Sequence, residues 1–235
     1  LDGKLAVITG GGQGIGEASA HALVDAGARV LLVGRNEEKL KSVSESLQNN
    51  FGSDYFKADL TSGEDISKLF EYVKSRYGTA HILINNAAIG QWKPTLEITD
   101  SDWDTMIRTN LTSVFKLSQK FGSLMVNQGY GKIVNISSIS GIIVNSEHAH
   151  VHYGTTKAGV IHMTKSLAAE WAKNGVRVNC ITPGYTATKM LTDLLNKPEG
   201  KVIASRISEL TPMREMAQPK DIAHGVLFFS APASD

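Results

Sequence analysis

Leu5-Ala6-Val7-Ile8-Thr9-Gly10-Gly11-Gly12-Gln13-Gly14-Ile15-Gly16 is the stretch whose reading decides the fold. Its first four residues are apolar and read as a short buried strand, the glycines as a tight turn, and residues 16–26 as a helix. A strand that runs through glycines into a helix aims backbone N–H groups and the positive end of the helix dipole at an anion. A pyrophosphate fits such a cradle, and glycine serves where a Cβ would block the turn or the approach of phosphate. The spacing Gly10, Gly14, Gly16 is wider at the front than the usual dinucleotide fingerprint. Taken alone, the turn leaves a plain glycine loop open.

Outward from that stretch, short apolar runs alternate with longer segments of helical period. Strands are predicted at 5–8, 29–33, 54–57, 82–85, 132–136 and 177–181, and helices at 16–26, 37–49, 63–77, 100–127, 153–174 and 219–230. The strands are continuous Val/Ile/Leu runs, as parallel strands buried on both faces should be. The expectation is an α/β chain: one doubly wound parallel sheet with helices on both faces, a single domain over residues 1–235. Two stretches fit poorly. Residues 139–152 read as a long polar loop with Gly141 and Asn145. Residues 186–211 read as irregular, broken by Pro198 and Gly200, with an amphipathic piece at 201–210. Loops at strand carboxyl ends shape or cover a ligand crevice, so the second is expected to be a substrate lid.

Composition excludes several classes. The 235 residues carry 24 basic and 23 acidic side chains with no polybasic run, so no nucleic-acid partner is expected. No apolar stretch approaches the ~20 residues of a bilayer span. The chain enters its first strand without a leader, and a cytoplasmic location is expected. Cys180, alone of its kind, excludes an intrachain disulfide and reads as a buried, inert thiol. The sequons at Asn110 and Asn135 lie in apolar surroundings and are expected to stay unmodified.

Tyr153 and Lys157 stand four apart, one helical turn on the same face. A phenol ordinarily titrates near ~10, and a neighbouring ammonium lowers that value toward useful acid–base chemistry. A Tyr/Lys pair at this spacing is also a common solvated pair. Ser138, at a strand end, is placed to hydrogen-bond a substrate oxygen.

Thr9-Gly10-xxx-Gly14-x-Gly16, Asn85-Asn86-Ala87-Ala88, Asn110, Ser138, Tyr153-xxx-Lys157 and Pro183-Gly184 occur in this order. The series resembles the short-chain dehydrogenase/reductase family over essentially the whole chain, with Ala88 where the family more often has glycine. The resemblance implies a Rossmann-type sheet and hydride transfer between a nicotinamide dinucleotide and an alcohol or ketone. It implies Tyr153 as general acid/base, Ser138 orienting the substrate oxygen, Lys157 also holding the nicotinamide ribose, and Asn110 ordering a relay water. The Ser-Ile-Ser-Gly frame aligns Ser138, not Ser137 or Ser140, with the family serine. Further cofactor contacts are implied at Gly10, Gln13, Gly14, Ile15, Gly16, Asn36, Leu60, Asn86, Ala87, Pro183, Gly184, Thr186 and Thr188. Asp59 resembles the adenine-contacting acid, with helix capping as the alternative. Where an acid would bind a ribose 2′-hydroxyl, this chain has Gly34 followed by Arg35, whose guanidinium suits a 2′-phosphate. NADP(H) is therefore expected over NAD(H), although the turn position that is often basic in such relatives is Gln13.

The loop between Ser138 and Tyr153 is about two residues longer than in many relatives and resembles the sugar and polyol branch, which includes sorbose reductases, mannitol 2-dehydrogenases and gluconate 5-dehydrogenases. A small polar carbonyl or alcohol is the implied partner. A 3-oxoacyl-thioester reductase and a silent cofactor-sensing protein are the alternatives. Gln91 and Trp92 are further candidates for substrate contacts. His148, His150 and His152 alternate in the loop, with Glu147 nearby, but nothing completes a tetrahedral zinc set, and no metal is expected. Residues 228–235 resemble the lead-in to one more strand that this sequence lacks. If that segment is present, a homo-oligomer, dimer or tetramer, is implied.

Overall fold

The computed structural model describes residues 1–47, 52–144, 150–196 and 200–235, with the backbone alone for 201–205. Strands β1 (Leu5–Thr9), β2 (Arg29–Gly34), β3 (Ser53–Lys57), β4 (Ile82–Asn85), β5 (Gly131–Ile136) and β6 (Val176–Ile181) form one parallel sheet in the order β3-β2-β1-β4-β5-β6. Successive side chains on each strand point to opposite faces. Leu5, Val7, Leu31, Val33, Leu83 and Ile133 therefore share one core, and Ala6, Ile8, Val30, Leu32, Ile84 and Val134 the other. A one-residue slip would exchange the two sets, so packing fixes the register.

Helices α1 (Gly14–Asp25), α2 (Glu37–Ser46) and α9 (Pro219–Ser230) supply Leu23, Leu40 and Val226 to the second core. Helices α3 (Gly63–Tyr77), α5 (Ser113–Gln128) and α6 (Val151–Trp171) supply Leu69, Phe121 and Leu167 to the first. Side-chain caps start α2 at Asn36 and α3 at Ser62, and a Thr99/Asp102 capping box starts α4 (Asp100–Ile107). None of the helices among the described residues is long and apolar enough to cross a membrane.

Three expectations are corrected. The helix predicted at 100–127 is interrupted by a π-helical turn at Arg108–Thr112, because an extra residue in the turn leaves the hydrophobic period nearly unchanged. The stretch 186–211 is mostly helical, with α7 (Lys189–Leu195) and α8 (Gly200–Leu210). At seven residues α7 is too short for periodicity to reveal. His152 belongs to α6, where it is fully buried, and not to a polar loop. Asn49, Asn145, Glu147, His148 and Pro198 lie outside the described residues.

Candidate active site

Chain direction across the sheet reverses between β1 and β4, and a cleft of about 520 Å³ opens there at the strands' carboxyl ends. Thr9 ties the two strands together. Its Oγ1 donates to the Ile84 carbonyl (3.1 Å) and accepts from the N–H groups of Asn86 (2.9 Å) and Ala87 (3.0 Å). Asn86 returns the bond through Nδ2 to the Thr9 carbonyl at 2.9 Å. Gly10 has φ +66°, and a Cβ there would lie 2.8 Å from Asn86 Nδ2. A Cβ on Gly16 would strike the Gly10 carbonyl, so Gly16 lets helix α1 close on the turn without itself lining the cleft. Gly10, Gln13, Gly14 and Ile15 do line it. A Cβ at Gly10 or Gly16 would break up this turn, whose other residues border space that suits a pyrophosphate.

At the outer end Arg35, Asn36, Asp59 and Leu60 line the cleft. Asn36 Oδ1 caps α2 by accepting from the Lys39 N–H at 2.9 Å. Asp59 Oδ1 accepts from the N–H and hydroxyl of Thr61 (2.9 and 2.8 Å), and these bonds, with a smaller pull from Arg35, hold its carboxyl below the ordinary range. The capping alternative for Asp59 passes instead to Ser62. Sequence reasoning missed Lys39. It also lines the cleft, and its Nζ donates to Gln13 Oε1 at 2.6 Å, so an ammonium reaches the turn from α2.

At the inner end Ser138, Tyr153 and Lys157 meet. Ser138 stands beside the Tyr153 hydroxyl and favours its phenolate, but burial outweighs this and pushes the phenol above the ordinary value. Lys157 is 3% exposed, its Nζ donates to the Ile136 carbonyl at 2.9 Å, and burial lowers it to about 8. The expected lowering of the phenol by Lys157 is therefore corrected. The ammonium sits 5.6 Å from the ring centroid, engaged elsewhere, and desolvation dominates both groups. Ser137 is committed to the Lys157 carbonyl at 2.7 Å, which separates it from Ser138. Asn110 does not line the cleft. From the π turn its amide donates to the Ile89 carbonyl and accepts from the Ile89 N–H, both at 2.9 Å. Asn86, Ala87, Pro183, Gly184, Thr186 and Thr188 also line the cleft.

Residues 4–199 match the short chain dehydrogenase family. The chain belongs to that family. Among its relatives, galactitol 2-dehydrogenase of Rhizobium johnstonii is 37% identical over 235 residues, all of this chain and 90% of the relative. A 3-oxoacyl-(acyl-carrier-protein) reductase of Aquifex aeolicus is likewise 37% identical, over 97% of this chain and 90% of its own length. A solved structure described as a putative NAD(P) dependent gluconate 5-dehydrogenase from Beutenbergia cavernae, with bound NADP at low occupancy, superposes with a TM-score of 0.91. It is 33% identical and is matched over all of this chain and 92% of that one.

Within this short-chain dehydrogenase cleft α7 contributes Met190, Leu191 and Leu194 to the lining, and Met190 comes up against Gly90. These apolar residues gave no sequence signal, because a turn and a half of helix shows no face. The histidines part company: His150 lines the cleft with its ring edge-on to Tyr153 at 5.8 Å, whereas His152 bonds Gln91 at 3.1 Å. No group that could hold a metal occurs among the described residues. Asn110 and Asn135 are 1% and 0% exposed, so neither sequon presents its amide. Cys180 is half-buried, and desolvation raises its thiol, which keeps it protonated.

Proposed function

We propose that the protein is an NADP(H)-dependent reductase of a small polar ketone, reversible toward the alcohol, acting on a ketose, polyol or keto-sugar acid. The observation that carries this reading is the Tyr153 hydroxyl, beside Ser138, opening on the same cleft as the glycine cradle. NADPH, when bound, supplies the hydride. Gly10, Gln13, Gly14 and Ile15 hold the pyrophosphate, and Arg35 with Lys39 pairs the 2′-phosphate. Ser138 orients the carbonyl oxygen, and Tyr153 gives its proton to that oxygen. A phenol raised by burial is protonated at neutral pH, which is the form reduction consumes. Lys157 holds the ribose. Asn110 contributes by fixing Ile89 in the wall. Ser140 and His150 line the same cleft and offer polar groups to substrate hydroxyls.

A second reading, a 3-oxoacyl-thioester reductase, is favoured by the equally similar acyl-carrier relative and by the apolar wall of α7. Following NADPH absorbance over ketoses, keto-sugar acids and acyl-thioester ketones separates the two. Turnover on the first two classes is expected, and turnover confined to thioesters selects the second reading. Cofactor binding without turnover on any of them indicates a cofactor-sensing protein. In the same assay Arg35→Ala should weaken NADPH by ~1.5–3 kcal/mol, the range for charged hydrogen bonds, and spare NADH. Equal losses for both cofactors would remove Arg35 from the 2′-phosphate.

A further inference from the structure

Gln91 Oε1 and His152 Nε2 lie 3.1 Å apart, and the donor between them is decided at the far end of a chain of bonds. Asp102 Oδ2 accepts from Lys93 Nζ at 2.7 Å and from the N–H and hydroxyl of Thr99 at 3.0 and 2.7 Å. Lys93 first, then Thr99, keeps this carboxyl ionised, far below the ordinary range. A carboxylate only accepts, so Gln91 Nε2 is the donor in its 3.3 Å bond to Asp102 Oδ1. Gln91 then turns its carbonyl oxygen to His152, and His152 Nε2 must carry the hydrogen. The other ring nitrogen, Nδ1, is buried without a hydrogen-bond partner among the described residues. Burial also disfavours the imidazolium, so the neutral ring is the resting form.

This pair couples two parts of the cleft. Gln91 belongs to the wall Ile89–Trp92, whose near end is clamped by Asn110. At Gly90 the wall meets α7 so closely that a Cβ would lie 3.1 Å from Met190 Sδ. His152 immediately precedes Tyr153 on α6. Bonds at both ends of its amide fix the Gln91 side chain, which also lines the cleft where a substrate contact is expected from it. We propose that His152 is a positioning residue: its Nε2–H, donated to Gln91, sets the wall against Tyr153 and so fixes the seat of the carbonyl. The inference rests on Tyr153 as the proton donor.

The test compares His152→Leu, His152→Gln and His152→Asn in kcat, KM for the ketone and NADPH affinity. It adds a ¹⁵N NMR measurement of the His152 ring in the unaltered protein near neutral pH. The leucine variant should lower kcat about tenfold and raise KM, with NADPH affinity within about twofold, since a misplaced wall harms alignment and not cofactor binding. Glutamine, whose terminal N–H reaches the Nε2 position, should recover kcat to within about threefold, and asparagine, which reaches only the Nδ1 position, should not. The ring should show hydrogen on Nε2 alone. A hydrogen on Nδ1, unchanged kcat in the leucine variant, or losses that follow melting temperature in all three variants would overturn the proposal. Failure of Tyr153 as the acid would appear separately, in Tyr153→Phe, and would leave the tautomer measurement untouched.

Discussion

Lys157 is 3% exposed, with its Nζ 2.9 Å from the Ile136 carbonyl, and burial draws it from an ordinary 10.5 to about 8. A buried ammonium works against the fold that holds it. Between those two values the unfolded chain binds more protons than the folded one, so stability rises with pH from about 8 toward 10.5, and below 8 the full penalty remains. Tyr153 acts in the other direction. Its phenol is raised, so the folded chain keeps a proton longer, and stability falls as pH climbs past an ordinary 10.0. Lys157→Met should therefore melt higher than the parent near neutral pH and lose the upward slope between about pH 8 and 10. Melting curves at several pH values read both effects, and an unchanged slope would mean that Lys157 is not the group responsible. The spacing of Tyr153 and Lys157 was legible in the sequence. Their electrostatics were not, because desolvation depends on what the rest of the fold packs around them.

At the scale of elements, α7 is seven residues long and has no buried residue, yet Met190, Leu191 and Leu194 line the cleft. A helix that short is not stable by itself. It leaves the sheet at a place pinned by main-chain bonds, Ala187 N–H to the Ala217 carbonyl (2.8 Å) and Ala217 N–H to the Tyr185 carbonyl (3.0 Å). If residues 186–211 act as the expected lid, α7 is the described part that moves with it. Amide exchange in Lys189–Leu195 should be fast in the free protein and slow severalfold with NADPH, most with NADPH and substrate analogue together. Equal exchange with and without ligand would contradict the lid. The strands and the longer helices could be read from sequence, since β4 is a continuous apolar run and α3 and α9 carry helical periods behind capping residues. The π turn at Arg108–Thr112 and α7 could not. The first hides inside an unbroken hydrophobic period, and the second is shorter than the window that reveals one.

At the scale of the whole molecule, the sheet divides its work at the switch between β1 and β4. The half ending in β3 presents the glycine cradle, Arg35 and Lys39, and the half ending in β6 presents Ser138, Tyr153 and Lys157. Most of the second set was readable as a motif. Lys39 was not, since twenty-six positions separate it from Gln13 and only the fold joins them. The account's central claim is that Tyr153 delivers the proton and that this step is separable from cofactor binding. Tyr153→Phe tests this most directly, with NADPH affinity measured by fluorescence titration and turnover by NADPH consumption on the same preparation. The account predicts NADPH affinity within about twofold of the parent and a turnover loss of at least about a hundredfold, the scale of a removed general acid. A Tyr153→Phe protein that binds NADPH and turns over at near the parental rate would contradict it.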